Sequence, residues 1–572
     1  MEKRVFIAIL LMFVVLAVYD QILLPRFAPK PAPQAQMTPP PATAPASTPA
    51  ATPGQKPATT APTPAAPVKT LVADTAEHEI VVDMESVRAV FSSAGATLRS
   101  WQLKKYRDAT GKPFEVVPID MPPQLQHPFT ITTDVPDLSA VLATALFQPS
   151  TQNLTLGSSA GTLSFEYRDA SGLSARKTFH FQPEGRSYVV NVTASVDVNG
   201  TSHPVTVHFG PALGLGYKPD GSTTVEAQAL IFRNDKDKVE RLSMSKLEGQ
   251  PSHDGAFRFA GVEEQYFLSV ALPGTQVVKM EFRPHSLPVA GDPKLNRKFI
   301  AYSAGVPGAA NLPFYLGPKD FDELRKVDQM LVFAIDFGFF RPLVVPLLQA
   351  LKWINRSVGN YGWSIIILTI IINLLIFPLR HRSMVSMRKM QSAQPEIKAI
   401  QDRYAKYKFT DPERQKMNPE MMALYKSKGI NPASGCVPML LTFPILLAFY
   451  AMLSVAIELR GAPFHWWIHD LALRDPLYIT PVLMGATMFW QQKMMPSPTT
   501  DPLQQKIFLF MPIFFTFTFL WAPAGMVLYW LVSNLMGILQ QTVTLKMIGA
   551  PPRPAPPKAK LAKPAGSGNP KP

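Results

Sequence analysis

WSIIILTIIINLLIF, residues Trp363 to Phe377, is the stretch of this sequence that decides its fold. It carries no Asp, Glu, Lys or Arg, and its few polar side chains include Thr369 and Asn373, four residues apart. Extended by its neighbours to residues 359–379, such a run is typical of a helix that crosses a membrane. Four further apolar stretches follow it: Val437 to Ile457, Tyr478 to Trp490, Ile507 to Trp521, and Met526 to Val543. The sequence therefore predicts an all-α membrane core, a five-helix bundle, near the C-terminus.

The distribution of charge orients this predicted bundle. The chain has a formal net charge of +15. Residues 380–428 hold 12 Lys and Arg against 5 Asp and Glu, and residues 546–572 hold 6 against 0. Segments rich in Lys and Arg beside membrane helices remain in the cytoplasm. The sequence thus predicts a cytoplasmic basic helical hairpin at 380–430, transmembrane helices 3–6 at 434–545 and a basic disordered cytoplasmic tail at 546–572. A nucleic-acid-binding protein is the less favoured explanation of the charge.

The N-terminal residues 1–24 carry Lys3 and Arg4 before an apolar run from Val5 to Val18. This pattern predicts an uncleaved signal-anchor transmembrane helix whose N-terminus is cytoplasmic, and a cleaved signal peptide is the alternative. Residues 25–67 hold 14 prolines among Ala, Thr and Gln, with no acidic residue. They predict an extended Pro/Ala-rich linker on the far side of the membrane.

From residue 68 to 330 the hydrophobic period changes to two. In YVVNVTASVDV, residues 188–198, Val190, Val192 and Val196 alternate with polar neighbours. Strands with one buried and one wet face show this alternation. We expect a large antiparallel β-sandwich outside the cytoplasm. Residues 331–358 then predict an interfacial amphipathic helix, because their apolar side chains alternate with Arg341, Lys352 and Arg356.

The motifs that could indicate a catalytic or metal site are rejected because of the sequence that surrounds them. GSSAG places Ser159 in a nucleophile-like motif, but it lies between strand patterns with no helix after it. His465 and His469 have helical metal-ligand spacing without an evident third ligand, so packing at the membrane interface is favoured. The single cysteine, Cys436, excludes an intramolecular disulfide.

Polar residues within the apolar stretches are few, and Thr369 and Asn373 share one helix face. Such residues either join helices or line a wet cavity. In the predicted hairpin, methionines recur at three-residue spacing: Met384, Met387 and Met390. They either pack between the two hairpin helices or form a soft surface that contacts client segments or the ribosome.

Several long stretches resemble the YidC membrane-protein insertases of Gram-negative bacteria, which have a large periplasmic domain. They include GNYGWSIIILTIIINLLIFPL (359–379), MMALYKSKGINPASGCVPMLLTFPILLAFYAML (421–453) and GMVLYWLVSNL (525–535). The resemblance extends over essentially the whole chain. It implies a multi-pass protein of the bacterial inner membrane that inserts and folds other membrane proteins, with no catalysis and no cofactor.

The resemblance also implies a hydrophilic groove that opens to the cytoplasm and to lipid but is closed on the periplasmic side. The implied partners are nascent membrane proteins, the Sec translocon and the ribosome–nascent chain complex, and the basic tail adds anionic phospholipids. The residues of this chain that we expect in the groove are Thr369, Asn373, Arg380, Thr442, Tyr529 and Trp530.

One position departs from the family pattern. Family members usually carry an arginine in the groove where this chain has Asn373. Arg380 lies seven residues further on, on nearly the same helix face, although Pro378 predicts a break between them. We expect Arg380 to supply part of the missing charge. A secondary transporter is the alternative function, but the lack of ionisable residues within the predicted spans argues against coupled transport.

Overall fold

The computed structural model describes the β-rich and helical regions of the chain. The described residues are 69–108, 111–118, 125–183, 185–211, 213, 227–289, 292–407, 411–430, 437–494 and 502–548. The predicted signal anchor, the Pro-rich linker, most of the predicted tail and Cys436 lie outside them.

The described part of residues 69–330, here called the β-domain, contains twenty strands. In chain order, β1 to β20 are Thr70–Val72, Glu79–Met84, Val87–Ser92, Thr97–Arg107, Pro113–Glu115, Thr130–Thr132, Gln148–Pro149, Asn153–Gly157, Gly161–Asp169, Leu173–Phe181, Val189–Val198, Thr201–Ser202, Val205–Phe209, Gln228–Arg233, Glu240–Leu242, Ser252–Glu263, Phe267–Ala271, Val277–Val289, Asp292–Val306 and Ala310–Pro318.

These strands form two sheets. The larger has the order β1-β9-β10-β11-β20-β17-β16-β18-β19-β13-β6, and β7, β12, β14 and β15 pair beside this path. The smaller has the order β5-β4-β3-β2-β8, in which β2 and β8 are parallel and the other neighbours antiparallel. The sheets pack together, since the rings of Phe91 in β3 and Phe179 in β10 lie 4.6 Å apart. The predicted antiparallel sandwich is confirmed.

Period-two burial builds the middle of the larger sheet. In β11, Val190, Val192, Ala194 and Val196 are buried, whereas Thr193 and the other residues between them are partly exposed. Alternate side chains of a strand point to opposite faces, so one set fills the core while the other faces water. The hydrophobic pattern thus fixes which face of this strand packs inward.

One fully buried cation joins elements within the sandwich. The Nζ of Lys177, in β10, donates hydrogen bonds to the carbonyl oxygens of Gly95 at 2.5 Å, Ala96 at 3.1 Å and Phe129 at 2.7 Å. Gly95 has a φ of +63°, a backbone conformation that glycine adopts without strain. The three acceptors match the three N–H groups of an ammonium, which is how a buried lysine is satisfied.

Twelve helices follow or interrupt the strands in the described residues. In chain order, α1 to α12 are Pro136–Thr144, Met244–Gly249, Phe321–Val327, Arg341–Val358, Tyr361–Ser392, Gln394–Tyr404, Pro412–Gln415, Met417–Ser427, Val437–Val455, Ile479–Met494, Pro502–Phe519 and Ala524–Ile548.

Helix α4 buries one apolar face and also exposes a large aromatic side chain on the opposite face. Val344, Leu348 and Leu351 are buried against the protein, whereas Trp353 on the opposite face is 68% exposed. It begins at Arg341 and ends before Gly359, which has a φ of +70° and caps the helix. The first ten residues of the predicted interfacial helix are therefore outside it and contain two short 3-10 turns.

Helix α5 passes through Pro378, where the sequence predicted a break, and continues to Ser392. A proline removes one helical hydrogen bond, but neighbouring packing allows an apolar helix to continue through it. Residues 361–390 form the one helix in the described part of the chain with both the length and the apolarity to cross a membrane. Shorter apolar segments occur in α9 at Phe443–Val455 and in α11 at Leu509–Phe519. The total of six spans stays a prediction.

Candidate client groove

A cavity of about 170 Å³ lies among helices α5, α9, α10 and α12. Its walls combine apolar side chains with amides, hydroxyls and one guanidinium. The lining residues are Ile372, Asn373, Ile376, Arg380, Ile445, Leu446, Gln491, Tyr529, Trp530, Ser533 and Asn534. Four of the six predicted groove residues therefore line a single cavity.

Thr369 and Asn373 occupy the buried face of α5. The Thr369 hydroxyl donates to the carbonyl of Ile365 at 2.6 Å, so its polarity is satisfied within its own helix. The Nδ2 of Asn373 donates to the Thr369 carbonyl at 2.8 Å. The amide oxygen of Asn373 can therefore accept a hydrogen bond from another residue. Asn373 lines the cavity, whereas Thr369 does not.

Arg380 donates to that oxygen. Its Nη1 lies 3.0 Å from the Oδ1 of Asn373 and 3.4 Å from the Oε1 of Gln540 in α12. The Nε2 of Gln540 in turn donates to the Asn373 backbone carbonyl at 2.8 Å. Because α5 is continuous through Pro378, the guanidinium reaches back along its own helix. Among the described ion pairs of the chain, none involves Arg380, so its charge is held by neutral oxygens alone.

Tyr529 and Trp530, which also line the cavity, contact two different helices. The ring of Tyr529 stacks on Phe449 of α9, with centroids 4.2 Å apart and planes 12° apart. The ring of Trp530 packs on Phe515 and Phe519 of α11 at 5.6 and 4.6 Å. Successive residues of α12 thus join α9 on one side and α11 on the other.

Helix α10 is fixed against α12 beside the cavity. The Nδ2 of Asn534 donates to the Met484 carbonyl at 3.2 Å and to the Thr487 hydroxyl at 3.3 Å. A Cβ at Gly537 would meet the side-chain amide of Gln491, the flexible end of a long side chain on α10, rather than a backbone atom.

The predicted Thr442 lies in α9, within the part of that helix whose side chains fall outside the described set. The predicted methionines lie on the extension of α5 beyond the cavity. Met390 packs against the hairpin core formed by Ala393, Ile397 and Ile430. Met384 and Met387 are partly exposed. A role for these three residues in contacting clients or the ribosome stays a prediction.

Sequence reasoning missed Gln540 and Phe449, which position the predicted residues. Gln540 is the first of two adjacent glutamines near the C-terminal end of the last apolar stretch. This polar pair within an apolar run was the sequence feature that could have indicated a buried polar contact. No sequence feature distinguished Phe449 from the many other apolar residues of its helix. His465 stacks on Trp466 at 4.9 Å, and the residues that the structure describes contain no group of three or more potential metal ligands.

Comparison with known proteins gives matches to both halves of the chain. Residues 79–350 match the family model described as the YidC periplasmic domain, and residues 353–550 match that described as the 60Kd inner membrane protein.

Two relatives match nearly the whole chain. A membrane protein insertase YidC of Geobacter metallireducens is 35% identical over 558 residues, covering 96% of this chain and 99% of the relative. One of Geotalea uraniireducens is 34% identical over 565 residues, covering 96% and 100%. The crystal structure of an active YidC insertase with its first transmembrane domain resolved is 17% identical, has a TM-score of 0.33, and covers 84% of this chain and 94% of that one.

Proposed function

The chain belongs to the YidC family of membrane protein insertases, and we propose that it inserts its clients through the cavity lined by Asn373, Arg380, Tyr529 and Trp530. It is an inner-membrane insertase and not an enzyme, its β-domain is a periplasmic domain, and its clients are nascent membrane proteins. The proposed route opens to the cytoplasm and to lipid.

A partly wet cavity lowers the barrier that a client meets. The polar segment that a client moves across the membrane must pass hydrocarbon, where each unsatisfied backbone group costs several kcal/mol. The amides of Asn373 and Gln491 and the guanidinium of Arg380 offer hydrogen bonds along part of that path. The apolar segment of the client can leave sideways, since burial of its surface in lipid contributes about 25 cal/mol per Å².

Apolar surface on the helices supports contact with lipid beside the cavity. Leu375 of α5 is 76% exposed, Phe510 of α11 is 64% exposed and Leu539 of α12 is 55% exposed. Exposed apolar faces of this size are unfavourable in water and are normal against hydrocarbon. We propose that α5, α9, α10, α11 and α12 are the five membrane spans of the bundle, preceded by the signal anchor, with both termini in the cytoplasm.

The hydrogen bond from Arg380 to Asn373 carries the proposal for the site. It places a cation beside the position where the family usually has arginine, and no described carboxylate pairs with that cation. An acidic residue in the translocated part of a client would exchange neutral amide acceptors for a carboxylate, and hydrogen bonds to charged groups are the stronger ones.

The test compares two single-span clients, one with an acidic and one with a neutral translocated tail, in cells that depend on this insertase. We expect Arg380→Ala to lower insertion of the acidic client about tenfold, since one charged hydrogen bond contributes about 1.5–3 kcal/mol. Arg382→Ala, an exposed arginine of the same helix, is the matched control. Adding Asn373→Arg to Arg380→Ala should restore insertion.

Two results would contradict the assignment. One is equal loss for the acidic and neutral clients, which would indicate a general defect of the bundle. The other is that Arg380→Ala leaves insertion of the acidic client unchanged and Asn373→Arg does not increase it. That result would show that the positive charge has no part in insertion.

We propose two further partners from the positive charge outside the cavity, and a third from family membership. The hairpin of α6 and α8 presents exposed cations, among them Arg403, Lys426 and Lys428, which suit ribosomal RNA of a ribosome–nascent chain complex or the headgroups of anionic phospholipids. The Sec translocon is proposed as a partner by family membership alone. The test measures binding of empty ribosomes to the full chain in nanodiscs at increasing salt concentrations. We expect binding to weaken as salt rises, and binding that does not change with salt would argue against a role for the charge.

A further inference from the structure

The end of α9 that points toward the β-domain leads into a short segment, residues 454–460, here called the outer turn. It contains the 3-10 turn Ile457–Leu459, in which Ile457 and Leu459 are almost fully buried. Three different contacts hold this turn, and each involves a residue of the β-domain or of α4. The cavity described above shares α9 as a wall, through Ile445 and Leu446.

The first contact satisfies the end of the helix. The Nε2 of Gln265, in the bend between β16 and β17, donates to the Ser454 backbone carbonyl at 2.8 Å. Carbonyl groups in the last turn of a helix have no partner within the helix. A side chain of the β-domain therefore caps the last turn of α9.

The second contact buries a cation on aromatic rings. The guanidinium of Arg460 lies 5.1 Å from the ring centroid of Phe114 and 5.0 Å from that of Phe267. These two rings stack at 3.8 Å with planes 10° apart, one from each sheet of the sandwich. Because the guanidinium is equally far from two rings that face each other, it lies beside the stacked pair, in contact with both rings. Arg460 is therefore bound at a place where both sheets meet.

The third contact is a cluster of charges around Lys352 of α4. Its Nζ lies 2.7 Å from Asp322, 3.0 Å from Glu458 and 3.5 Å from Asp320. Asp320 also caps α3 by accepting from the backbone N–H groups of Asp322 and Glu323. One lysine thus links the β-domain, α4 and the outer turn, and Glu458 would be a buried unpaired carboxylate without it.

We propose that Arg460 and Lys352 are positioning residues of the insertion groove, through which the β-domain fixes the outer end of α9 against α12. The proposal rests on the proposed function, because α9 matters to insertion only if the cavity is the client route. The stack of Phe449 on Tyr529 lies about 8 Å along α9 from Ser454 at 1.5 Å per residue. A helix held at its end keeps that ring in place while a client passes α9.

The test measures amide hydrogen exchange of residues 443–460 in the full chain in nanodiscs without a client. We expect Arg460→Ala and Lys352→Met each to raise exchange in this segment about tenfold, as loss of one charged contact implies, and to leave α10 unchanged. Arg356→Ala, an exposed arginine of α4, is the matched control. Arg460→Lys should retain part of the protection, because it keeps a cation beside the two rings.

A second variant separates positioning from loss of folding. Lys352→Met with Glu458→Leu removes the lysine and the most deeply buried of its three carboxylates, and leaves Asp322, which is partly exposed, and Asp320, which still caps α3. Apolar replacement of a buried ion pair is tolerated far better than removal of one partner. We expect exchange of the double variant to return toward the wild-type value. Equal exchange in wild type and both single variants, or a rise spread over the whole β-domain and α10, would overturn the proposal.

Insertion assays complete the test. Arg460→Ala should reduce insertion of the acidic and neutral clients to the same degree, unlike the selective loss expected from Arg380→Ala. Full insertion by Arg460→Ala despite fast exchange in α9 would overturn the link to the groove. The exchange measurement needs neither Arg380 nor a client, so failure of the Arg380 test leaves it interpretable.

Discussion

Replacement of Lys177 by methionine tests the buried charge of the β-domain. The side chain is completely buried, and its Nζ donates to three backbone carbonyls. Burial lowers the pKa of Lys177 to about 7. Methionine has a similar length and no charge, so the substitution removes the donors and the titrating group without opening a large cavity.

The magnitude follows from both effects. Between pH 7 and the ordinary lysine pKa of about 10.4, the unfolded chain binds more protons than the folded one, so stability rises with pH. From pH 7 to 9 this contributes at most about 2 kcal/mol to the free energy of unfolding. It is an upper limit because the three carbonyls favour the protonated amine. The ammonium donates three hydrogen bonds and the neutral amine two, so their loss in Lys177→Met costs about 2–3 kcal/mol. We therefore expect the stability lost in Lys177→Met to be larger at pH 9 than at pH 7, by at most about 2 kcal/mol.

Pulse proteolysis in urea measures this difference in the full chain held in maltoside micelles. The water-exposed β-domain becomes cleavable as it unfolds, and the urea midpoint gives its stability at each pH. Lys238→Met, at an exposed lysine of the same domain, is the control and should shift neither midpoint. Subtraction of the variant from wild type removes the contribution of other groups that titrate in this range.

The reasoning fails if the difference between wild type and Lys177→Met is the same at pH 7 and pH 9. It also fails if the difference shrinks as the pH rises, because that would mean that the folded state holds the proton more tightly than the unfolded state. A variant more stable than wild type at both values would show that the three carbonyls find other donors.

Three further substitutions test helix packing. Asp475→Ala should lower bundle stability by at least about 3 kcal/mol, since this fully buried carboxylate accepts four hydrogen bonds before α10, and thermal unfolding in micelles measures the loss. Gly485→Ala should cost about 1–3 kcal/mol, because the new Cβ meets the stiff, branched side chain of Thr516, and the same assay applies. Gly537→Ala should be neutral or stabilising by up to about 1 kcal/mol, since only the flexible amide of Gln491 must move and alanine favours a helix; a loss as large as that of Gly485→Ala would be inconsistent with this explanation.

The strands and apolar helices could be predicted because their signals are periodic and local. Val190, Val192 and Val196 repeat every second residue, and burial of one strand face requires that repeat. The face shared by Thr369 and Asn373 could likewise be predicted from their spacing. The expected break at Pro378 was wrong, because the sequence does not show the packing that lets α5 continue to Ser392.

Contacts between distant parts of the chain could not be predicted in the same way. Lys177 meets carbonyl groups more than 40 residues away, and Arg460 meets rings from both sheets. Nothing in the local sequence distinguishes Lys177 or Arg460 from the many exposed lysines and arginines of the chain. Gln265 gave no sign that it caps a helix nearly 190 residues later, because a cap between elements depends on their docking rather than on local propensity.

In the proposed groove, Arg380 supplies the cation that family members usually carry at the position of Asn373. Seven residues along a helix are about 10 Å, so the Cα of Arg380 lies that much nearer Ser392, at the end of α5, than the Cα of Asn373. The hydrogen bond to Asn373 shows that the side chain recovers much of this distance by extending back along the helix. The proposed groove therefore offers an acidic client residue a cation at nearly the depth of the usual family arginine, although that cation comes from a residue two helical turns away.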